Sequence, residues 1–330
     1  MRRRFQSFAA AAMAAAVCLA VPGQTRAADY PIKPVTVVIG YAAGGPTDVL
    51  MRAIAPRLSS EWKQQVIVDN RPGGNEIIAA QLVSKAPADG YTLLLSSEAP
   101  LTQNPFLYRK LSYNPENDFV PISRLVSSPL ALVVNAALPV NNLQEFVTLA
   151  KSRSTTRPLS YASAGIGGVL HLPMAMFASQ NGLTMTHVPY KGVAPLLTDV
   201  ISGQVDAAWV AVAGAAPYVR DGRIKALVVD APARVKALPQ VPVFSETGVA
   251  PVQADFTFAL QAPAGTPPAV TEKVAAAFRK VLLDPEFREK YLDPVGFVVV
   301  ASTPAELAQY LANDRPRQAK RITVSGATMD

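Results

Sequence analysis

Two glycine-containing segments are the strongest candidates for ligand chemistry in this sequence. The first glycine segment, residues 40–48 (GYAAGGPTD), lies between an apolar run of buried-strand type at 35–39 and a predicted helix over 47–60. Glycines let the backbone approach a ligand, and the unpaired N–H groups of a helix start favour an anion. Open α/β sheets also bind ligands at the carboxyl ends of their strands. From these residues alone, an ordinary strand-to-helix turn stays an alternative, with Asp48 as a first-turn charge.

The second glycine segment, residues 163–168 (SAGIGG), has the same design in the other half of the chain. It follows a predicted strand over 159–162 and precedes a predicted helix that contains His171. Two such segments could hold a carboxylate from both sides, since its oxygens accept N–H and O–H hydrogen bonds. Each charge-assisted bond contributes about 1.5–3 kcal/mol when its geometry is good.

Other kinds of site chemistry find little support. The first segment has the glycine spacing of a phosphate loop, but Pro46 stands where the lysine should be, which argues against a nucleotide triphosphatase. The chain has two histidines, His171 and His187, and neither has cysteine or carboxylate partners at metal-ligand spacing. Ser163 lacks the glycine–serine–glycine elbow of a hydrolase, and the sequence identifies no base beside it.

Three residues have two interpretations each. Trp209 belongs to the core or lines the ligand cleft, and Lys191 is a solvated loop residue or a cation for a second carboxylate. Glu98 would repel an anion, so it either points away from the site or accepts a hydrogen bond from a ligand.

The start of the chain predicts export. Arg2, Arg3 and Arg4 precede an apolar stretch at 8–20, and small residues suit cleavage after Ala27, so we predict a signal peptide over residues 1–27 and a periplasmic location. The stretch is shorter than the roughly 20 apolar residues of a membrane span. Cys18, the one cysteine, lies inside it, so the mature chain has no thiol chemistry.

The charge balance argues against nucleic acid as a partner. Of the 31 Lys and Arg residues, four lie in the predicted leader, which leaves 27 against 24 Asp and Glu. The net charge of the mature chain is therefore about +3, with no basic stripe interleaved with aromatic residues.

Short apolar runs alternate with amphipathic helical patterns, which is typical of an α/β fold with parallel sheets. A second lobe is predicted to begin near Leu130, and the chain is predicted to return to the first lobe after the proline-rich turn at 238–242. Two lobes with two crossings are the architecture of a hinged binding protein, in which ligand lies between the lobes.

Eight blocks across the mature chain resemble the signature blocks of the Bug family, the periplasmic solute receptors of tripartite tricarboxylate transporters. They are residues 30–34 (YPIKP), 42–48 (AAGGPTD), 70–73 (NRPG), 89–94 (DGYTLL), 104–108 (NPFLY), 187–192 (HVPYKG), 203–206 (GQVD) and 262–267 (APAGTP).

The resemblance implies a two-lobed type II periplasmic-binding fold, an α/β fold that closes over a small carboxylate. It places lobe 1 at residues 28–129 and 252–330, and lobe 2 at 130–251. Family binding positions fall on twelve residues: Ala43, Gly44, Gly45, Thr47, Asp48, Ser97, Ser163, Ala164, Gly165, Gly168, His171 and Asp206.

The sequence also departs from the family pattern. Residues 74–76 (GNE) stand where the family usually has alanine and two glycines, Glu98 replaces a small residue, and Gly168 replaces a hydroxyl residue. With Trp209, these changes predict a wider or aromatic-lined pocket, suited to an aromatic mono- or dicarboxylate.

The predicted function is therefore capture of a dicarboxylate or an aromatic carboxylate for the membrane components of a tripartite tricarboxylate transporter. We expect a monomer without cofactor, metal or catalytic activity. The alternatives are a ligand-sensing adaptor for a membrane signalling protein and, behind it, a periplasmic enzyme.

Overall fold

The computed structural model describes residues 30–327, so the predicted signal peptide lies outside the described residues. The described chain forms two β-sheets with helices packed against them. None of its helices is long and apolar enough to cross a membrane.

The first sheet has six strands in the order β11-β4-β10-β3-β1-β2. Their bounds are β1 Val35–Ile39, β2 Val66–Asn70, β3 Thr92–Ser96, β4 Phe119–Ser128, β10 Phe256–Pro263 and β11 Val298–Val299. β1 pairs in parallel with β2 and β3, whereas β10 is antiparallel to β3 and β4. β1 is buried almost throughout, which explains its continuous apolar sequence.

The second sheet has five strands in the order β7-β6-β8-β5-β9. Their bounds are β5 Leu130–Asn135, β6 Leu159–Ser163, β7 Met185–Pro189, β8 Ala207–Ala211 and β9 Ile224–Val229. β6 is parallel to both β7 and β8, and β5 is antiparallel to β8 and β9. The predicted strand over 159–162 ends one residue before the observed end of β6.

Ten helices accompany the sheets within the described range. They are α1 Pro46–Trp62, α2 Ile77–Ser84, α3 Asn104–Leu107, α4 Leu143–Arg153, α5 Leu172–Asn181, α6 Val193–Ser202, α7 Val212–Arg220, α8 Pro268–Leu283, α9 Pro285–Phe287 and α10 Pro304–Ser325. α1 continues through Pro56, because Ile54, Ala55 and Leu58 are buried against the sheet and their packing outweighs the lost hydrogen bond. α10 begins with a capping box: the Glu306 N–H donates to Thr303 Oγ1, and the Thr303 N–H donates to Glu306 Oε2.

Each sheet has its own large hydrophobic core. Phe258, Phe278 and Phe287 fill the core beside the first sheet, and Phe146 and Phe177 fill the core beside the second. Trp209 is fully buried in the second core, where its ring lies 6.2 Å from that of Phe244. The cleft interpretation of Trp209 is therefore wrong, and its support for an aromatic-lined pocket is lost.

The chain passes from one sheet to the other twice, and its last helix, α10, contacts both halves. It crosses at Pro129, between β4 and β5, and returns between β9 and β10. α10 packs on β4 in the first sheet and on α5 beside the second. A small cluster of Leu107, Leu172, Ile322 and Ala327 lies where these parts meet. We keep residues 28–129 with 252–330, and 130–251, as the proposed lobes 1 and 2.

Candidate functional site

The backbone of the first glycine segment is open at the carboxyl end of β1. Ala43 and Gly44 are exposed, Gly45 is half-buried, and a side chain added at Gly44 would meet nothing within 4 Å. Gly44 has φ +83°, a left-handed conformation that favours glycine. Pro46 begins α1, as its fixed φ and missing N–H suit a first helical position.

The Asp48 carboxylate stabilises the first glycine segment by accepting hydrogen bonds. It accepts a 2.8 Å hydrogen bond from the Gly44 N–H and 2.9 Å bonds from Arg52 Nε, and it is buried, as is Thr47. Burial alone would raise the pKa of Asp48, but the hydrogen bonds from Arg52 and Gly44 outweigh it and lower the pKa. An ionised carboxylate bonded in this way holds the loop in place. The placement therefore favours Asp48 as a charge in the first turn of α1 over Asp48 as a ligand contact.

Ser97 follows β3 and donates to an acid that the sequence did not single out for the site. Its N–H lies 3.2 Å from Glu76 Oε2, and its hydroxyl donates a short hydrogen bond to Glu76 Oε1. The Tyr41 hydroxyl donates to Ser97 Oγ at 3.2 Å. Ser97 and Glu76 are both buried. The N–H and the hydroxyl of Ser97, which was predicted to contact ligand, are therefore bonded inside the protein.

Glu76 lies close beneath the first glycine segment. A side chain added at Gly40 would come within 2.6 Å of the Glu76 side chain, so this position requires glycine. Burial raises the pKa of Glu76 to about 7. The one sequence signal for this residue was an acid among glycines and apolar residues at 73–78 (GGNEII).

The second glycine segment is equally open at the carboxyl end of β6. Ala164 is exposed, Gly165 and Gly168 are half-buried, and a side chain added at Gly165 would meet nothing within 4 Å. α5 begins only at Leu172, with His171 as its N-cap residue, so His171 precedes the helix. Its Nδ1 accepts a 3.0 Å hydrogen bond from the Gly167 N–H and so holds the segment in place.

Two histidines and a tyrosine stack behind this segment. The rings of His171 and His187 lie 4.0 Å apart, and those of His187 and Tyr161 lie 4.9 Å apart. Burial and the neighbouring His187 lower the pKa of His171 to about 4, and burial lowers the pKa of His187. Both imidazoles are therefore neutral at pH 7.

His187 Nε2 lies 2.7 Å from Ser163 Oγ, so the expectation of no base beside Ser163 is wrong. The register of β6 and β7 explains this, because it pairs Tyr161 with His187. Ser163 also donates to the Gly165 carbonyl at 2.8 Å and is fully buried. A hydroxyl that is enclosed and bonded in this way positions the loop and cannot reach a substrate.

Asp206 lies at the amino ends of the strands of the second sheet, opposite the carboxyl ends where the second glycine segment lies. Its Oδ2 accepts hydrogen bonds of 2.7 and 2.8 Å from the N–H and hydroxyl of Ser160, near the start of β6. Ser163 is three residues further along that strand, which is about 10 Å at 3.3 Å per residue. Asp206 therefore joins the amino ends of β6 and β8, and this geometry does not support its predicted contact with ligand.

The carboxyl edges of the two sheets meet through a small contact. A side chain added at Gly167, in the second segment, would come within 2.8 Å of Leu107, which ends α3 in the first half. α3 is tied to the loop after β2 by a 2.7 Å hydrogen bond between Asn75 and Asn104. The loops that follow β2, β3 and β6 are thus gathered at one junction, beside the open end of β1.

Glu98 takes the interpretation that leaves it out of the site. Glu98 Oε1 accepts hydrogen bonds from the Thr257 N–H at 2.7 Å and the Tyr310 hydroxyl at 3.0 Å, so the carboxylate points toward β10 and α10. Lys191 is an exposed loop residue. Within residues 30–327, no group of three His, Cys, Asp or Glu side chains is arranged to hold a metal ion.

Comparison with known proteins gives a consistent result. The sequence profile of the tripartite tricarboxylate transporter family receptor, TctC, matches residues 50–326. The chain is 30% identical to protein BugT of Bordetella pertussis over 310 residues, which cover 94% of each chain.

Solved structures resemble it over nearly the whole described chain, each at 30% identity. An R. palustris protein with adipate has a TM-score of 0.79 and covers 91% of this chain and 100% of its own. The periplasmic binding protein BugD has a TM-score of 0.75 with the same coverage. MatC from Rhodopseudomonas palustris, with bound malate, has a TM-score of 0.74 and covers 89% of this chain and 100% of its own. The predicted two-lobed α/β periplasmic-binding fold is confirmed.

Proposed function

Since the chain belongs to the Bug family of tripartite tricarboxylate transporter receptors, we propose that it captures a small carboxylate in the periplasm for such a transporter. The family and the solved structures are solute-binding receptors, so the chain is a binding protein and not an enzyme. The predicted signal peptide over residues 1–27 supports the periplasmic location. We propose that the receptor acts as a monomer.

The observation that carries this proposal is the pair of open glycine segments at the carboxyl edges of the two sheets. Gly44 and Gly165 both have left-handed backbones, and a side chain added at either position would meet nothing within 4 Å. A ligand carboxylate held by backbone N–H groups needs this kind of close backbone approach.

We propose a ligand site built from the residues that are open at this junction or directly support it. In the first segment they are Ala43, Gly44, Gly45 and Thr47; in the second they are Ser163, Ala164, Gly165, Gly168 and His171. Asp48, Ser97 and Asp206 are left out as direct contacts, because their polar atoms are bonded within the protein.

The acid class is a dicarboxylate or an aromatic carboxylate. Adipate and malate in the two R. palustris structures support a short carboxylic acid. The aromatic option has lost the support of Trp209 and now depends on the altered loop at residues 74–76 and on Gly168.

The direct test is mass spectrometry of any ligand released from the purified protein, followed by calorimetric titration with the acid that is found. We expect release of a carboxylic acid, chemically unchanged after rebinding. A ligand at 100 times its Kd should stabilise the protein by about 2.7 kcal/mol, which a thermal-shift panel of acids detects. Release of a compound without a carboxyl group, together with no stabilisation by any acid, would contradict the proposal.

Two matched glycine variants locate the site. Gly165→Ala and Gly222→Ala each place a side chain at a left-handed position, φ +121° and +68°, with nothing within 4 Å. Both substitutions place a Cβ at positive φ, which costs roughly 1–2 kcal/mol. We expect Gly165→Ala to weaken acid binding about tenfold or more, whereas Gly222→Ala, in the turn before β9, leaves it unchanged.

The transporter partnership is tested with the membrane components. We expect the acid-loaded receptor to co-purify with the membrane subunits of a tripartite tricarboxylate transporter. Stable capture of a membrane signalling protein by the loaded receptor, with no capture of transporter subunits, would favour the sensing adaptor instead.

A further inference from the structure

Three hydrogen-bond donors of the first lobe are already bonded to carboxylates of the protein itself. Glu76 accepts from both the N–H and the hydroxyl of Ser97, and Asp48 accepts from the Gly44 N–H. Pro46 has no N–H to offer at the start of α1. These groups lie at the carboxyl ends of β1 and β3, where an anionic ligand would otherwise find its donors.

Glu76 is held in this position by close packing on several sides. It has φ +68°, it is 1% exposed, and its side chain fits against Gly40 with no room for a Cβ there. Tyr41 lies beside it and donates to Ser97 Oγ, the same oxygen whose proton goes to Glu76. The carboxylate is thus a fixed part of the first-lobe side of the junction.

The second lobe differs in the charge of its acceptors. The Gly167 N–H donates to the imidazole of His171, and Ser163 Oγ lies against the imidazole of His187. Both rings are neutral at pH 7, and the segment SAGIGG contains no acid. An incoming carboxylate therefore meets no fixed negative charge within the second segment, whereas on the first-lobe side it meets Glu76; the charge of Asp48 is balanced by Arg52.

We propose that Glu76 is a specificity-determining residue: it takes the first-lobe position of a second ligand carboxylate, so the ligand is a monocarboxylate with an uncharged far end. The single carboxylate binds the second glycine segment, and the uncharged end faces Tyr41 and the first segment. This inference rests on the proposed function, and it narrows the acid class. It also separates this receptor from the relatives solved with adipate and malate, which carry two carboxylates.

The test compares each dicarboxylate with its own monoamide, because the two differ by one charge and keep the same shape. The probes are succinate and succinamate, adipate and adipamate, and terephthalate and 4-carbamoylbenzoate, titrated by calorimetry at pH 8. Burial raises the pKa of Glu76 to about 7, so its carboxylate is charged at that pH. We expect the monoamide to bind about tenfold more tightly than the dicarboxylate in every pair that binds.

Glu76→Gln removes the charge and keeps an oxygen that can accept from Ser97. In this variant we expect the ratio of the two affinities to fall to about one. Glu98→Gln is the matched control, since Glu98 is also a buried glutamate next to Ser97 but is bonded to Thr257 and Tyr310. The control should keep the wild-type ratio. If Glu76→Gln does not fold, as judged by circular dichroism, the wild-type ratio decides alone.

The outcomes separate this inference from the proposed function. Equal or tighter binding of the dicarboxylate by the wild type, or an unchanged ratio in folded Glu76→Gln, overturns the role of Glu76 alone. Release of a dicarboxylate from the purified protein does the same and leaves the proposed function intact. If no acid is released and no pair binds, the proposed function fails, and the inference fails with it.

Discussion

Replacing Glu98 with glutamine should abolish a large part of the pH dependence of stability. Glu98 is 2% exposed; its Oε1 accepts from Thr257 and Tyr310, and within the described chain its Oε2 has no hydrogen-bond partner. Burial, together with the charges of Asp314 and Asp255, raises the pKa of Glu98 from 4.5 to about 8.

The sign and size of the effect follow from proton linkage. Between pH 4.5 and 8 the folded protein keeps a proton on Glu98 that the unfolded chain has lost, so the free energy of unfolding falls as pH rises. Each pH unit costs about 1.4 kcal/mol, which amounts to about 4 kcal/mol between pH 5 and pH 8. The stability that this group contributes at low pH is lost as pH rises through the folded pKa.

The assay is denaturant unfolding of the wild type and Glu98→Gln at pH 5, 6.5 and 8. Glutamine resembles the protonated acid, so the two proteins should be about equally stable at pH 5, and the variant should be about 4 kcal/mol more stable at pH 8. Glu272→Gln, an exposed position on α8, is the control and should follow the wild type at all three values. A constant difference between Glu98→Gln and the wild type across this range would refute the reasoning.

Three further predictions test other parts of the structure. Gly167 and Gly182 both have left-handed backbones, but only Gly167 packs on Leu107. Gly167→Ala should therefore lower the free energy of unfolding more than Gly182→Ala does, and it alone should weaken acid binding. Equal effects of the two variants in denaturant unfolding and calorimetry would show that the contact with Leu107 is unimportant. Thr303→Ala should cost about 1 kcal/mol by loss of the α10 capping box, whereas Thr323→Ala, exposed on the same helix, should stay within about 0.5 kcal/mol. His171 should stay neutral down to about pH 4 in an imidazole nitrogen NMR titration, since burial and His187 lower its pKa; a midpoint near 6.5 would contradict the stacked, buried ring pair.

The local units of this fold are readable from the sequence because their signals lie within a few residues. VTVVI at 35–39 is apolar at four of its five positions because β1 is covered on both faces, and glycines at 40–45 mark the turn that follows. The capping box of α10 needs only Thr303 and Glu306, three residues apart. The alternation of apolar runs and helical patterns predicts the α/β class, and the family resemblance adds the two-lobed periplasmic-binding fold.

The contacts that decide the chemistry of the site join residues far apart in sequence. Glu76 reaches Ser97 across 21 residues, and His187 reaches Ser163 across 24, because parallel strands bring their loops to one edge. Strand order and register are needed to see such pairs, and one sequence does not state them. Asp206 shows the converse, since a residue that precedes a strand parallel to β6 must lie at the amino edge, away from the second segment.

The central claim is tested most directly by a crystal structure of the protein with the acid that it releases or binds best. We expect the acid between the two sheets, with a carboxylate oxygen about 3 Å from backbone N–H groups of residues 163–168 and its other end beside residues 42–45. An acid bound elsewhere on the protein, or bound with both glycine segments facing solvent and free of contact with it, would contradict the account.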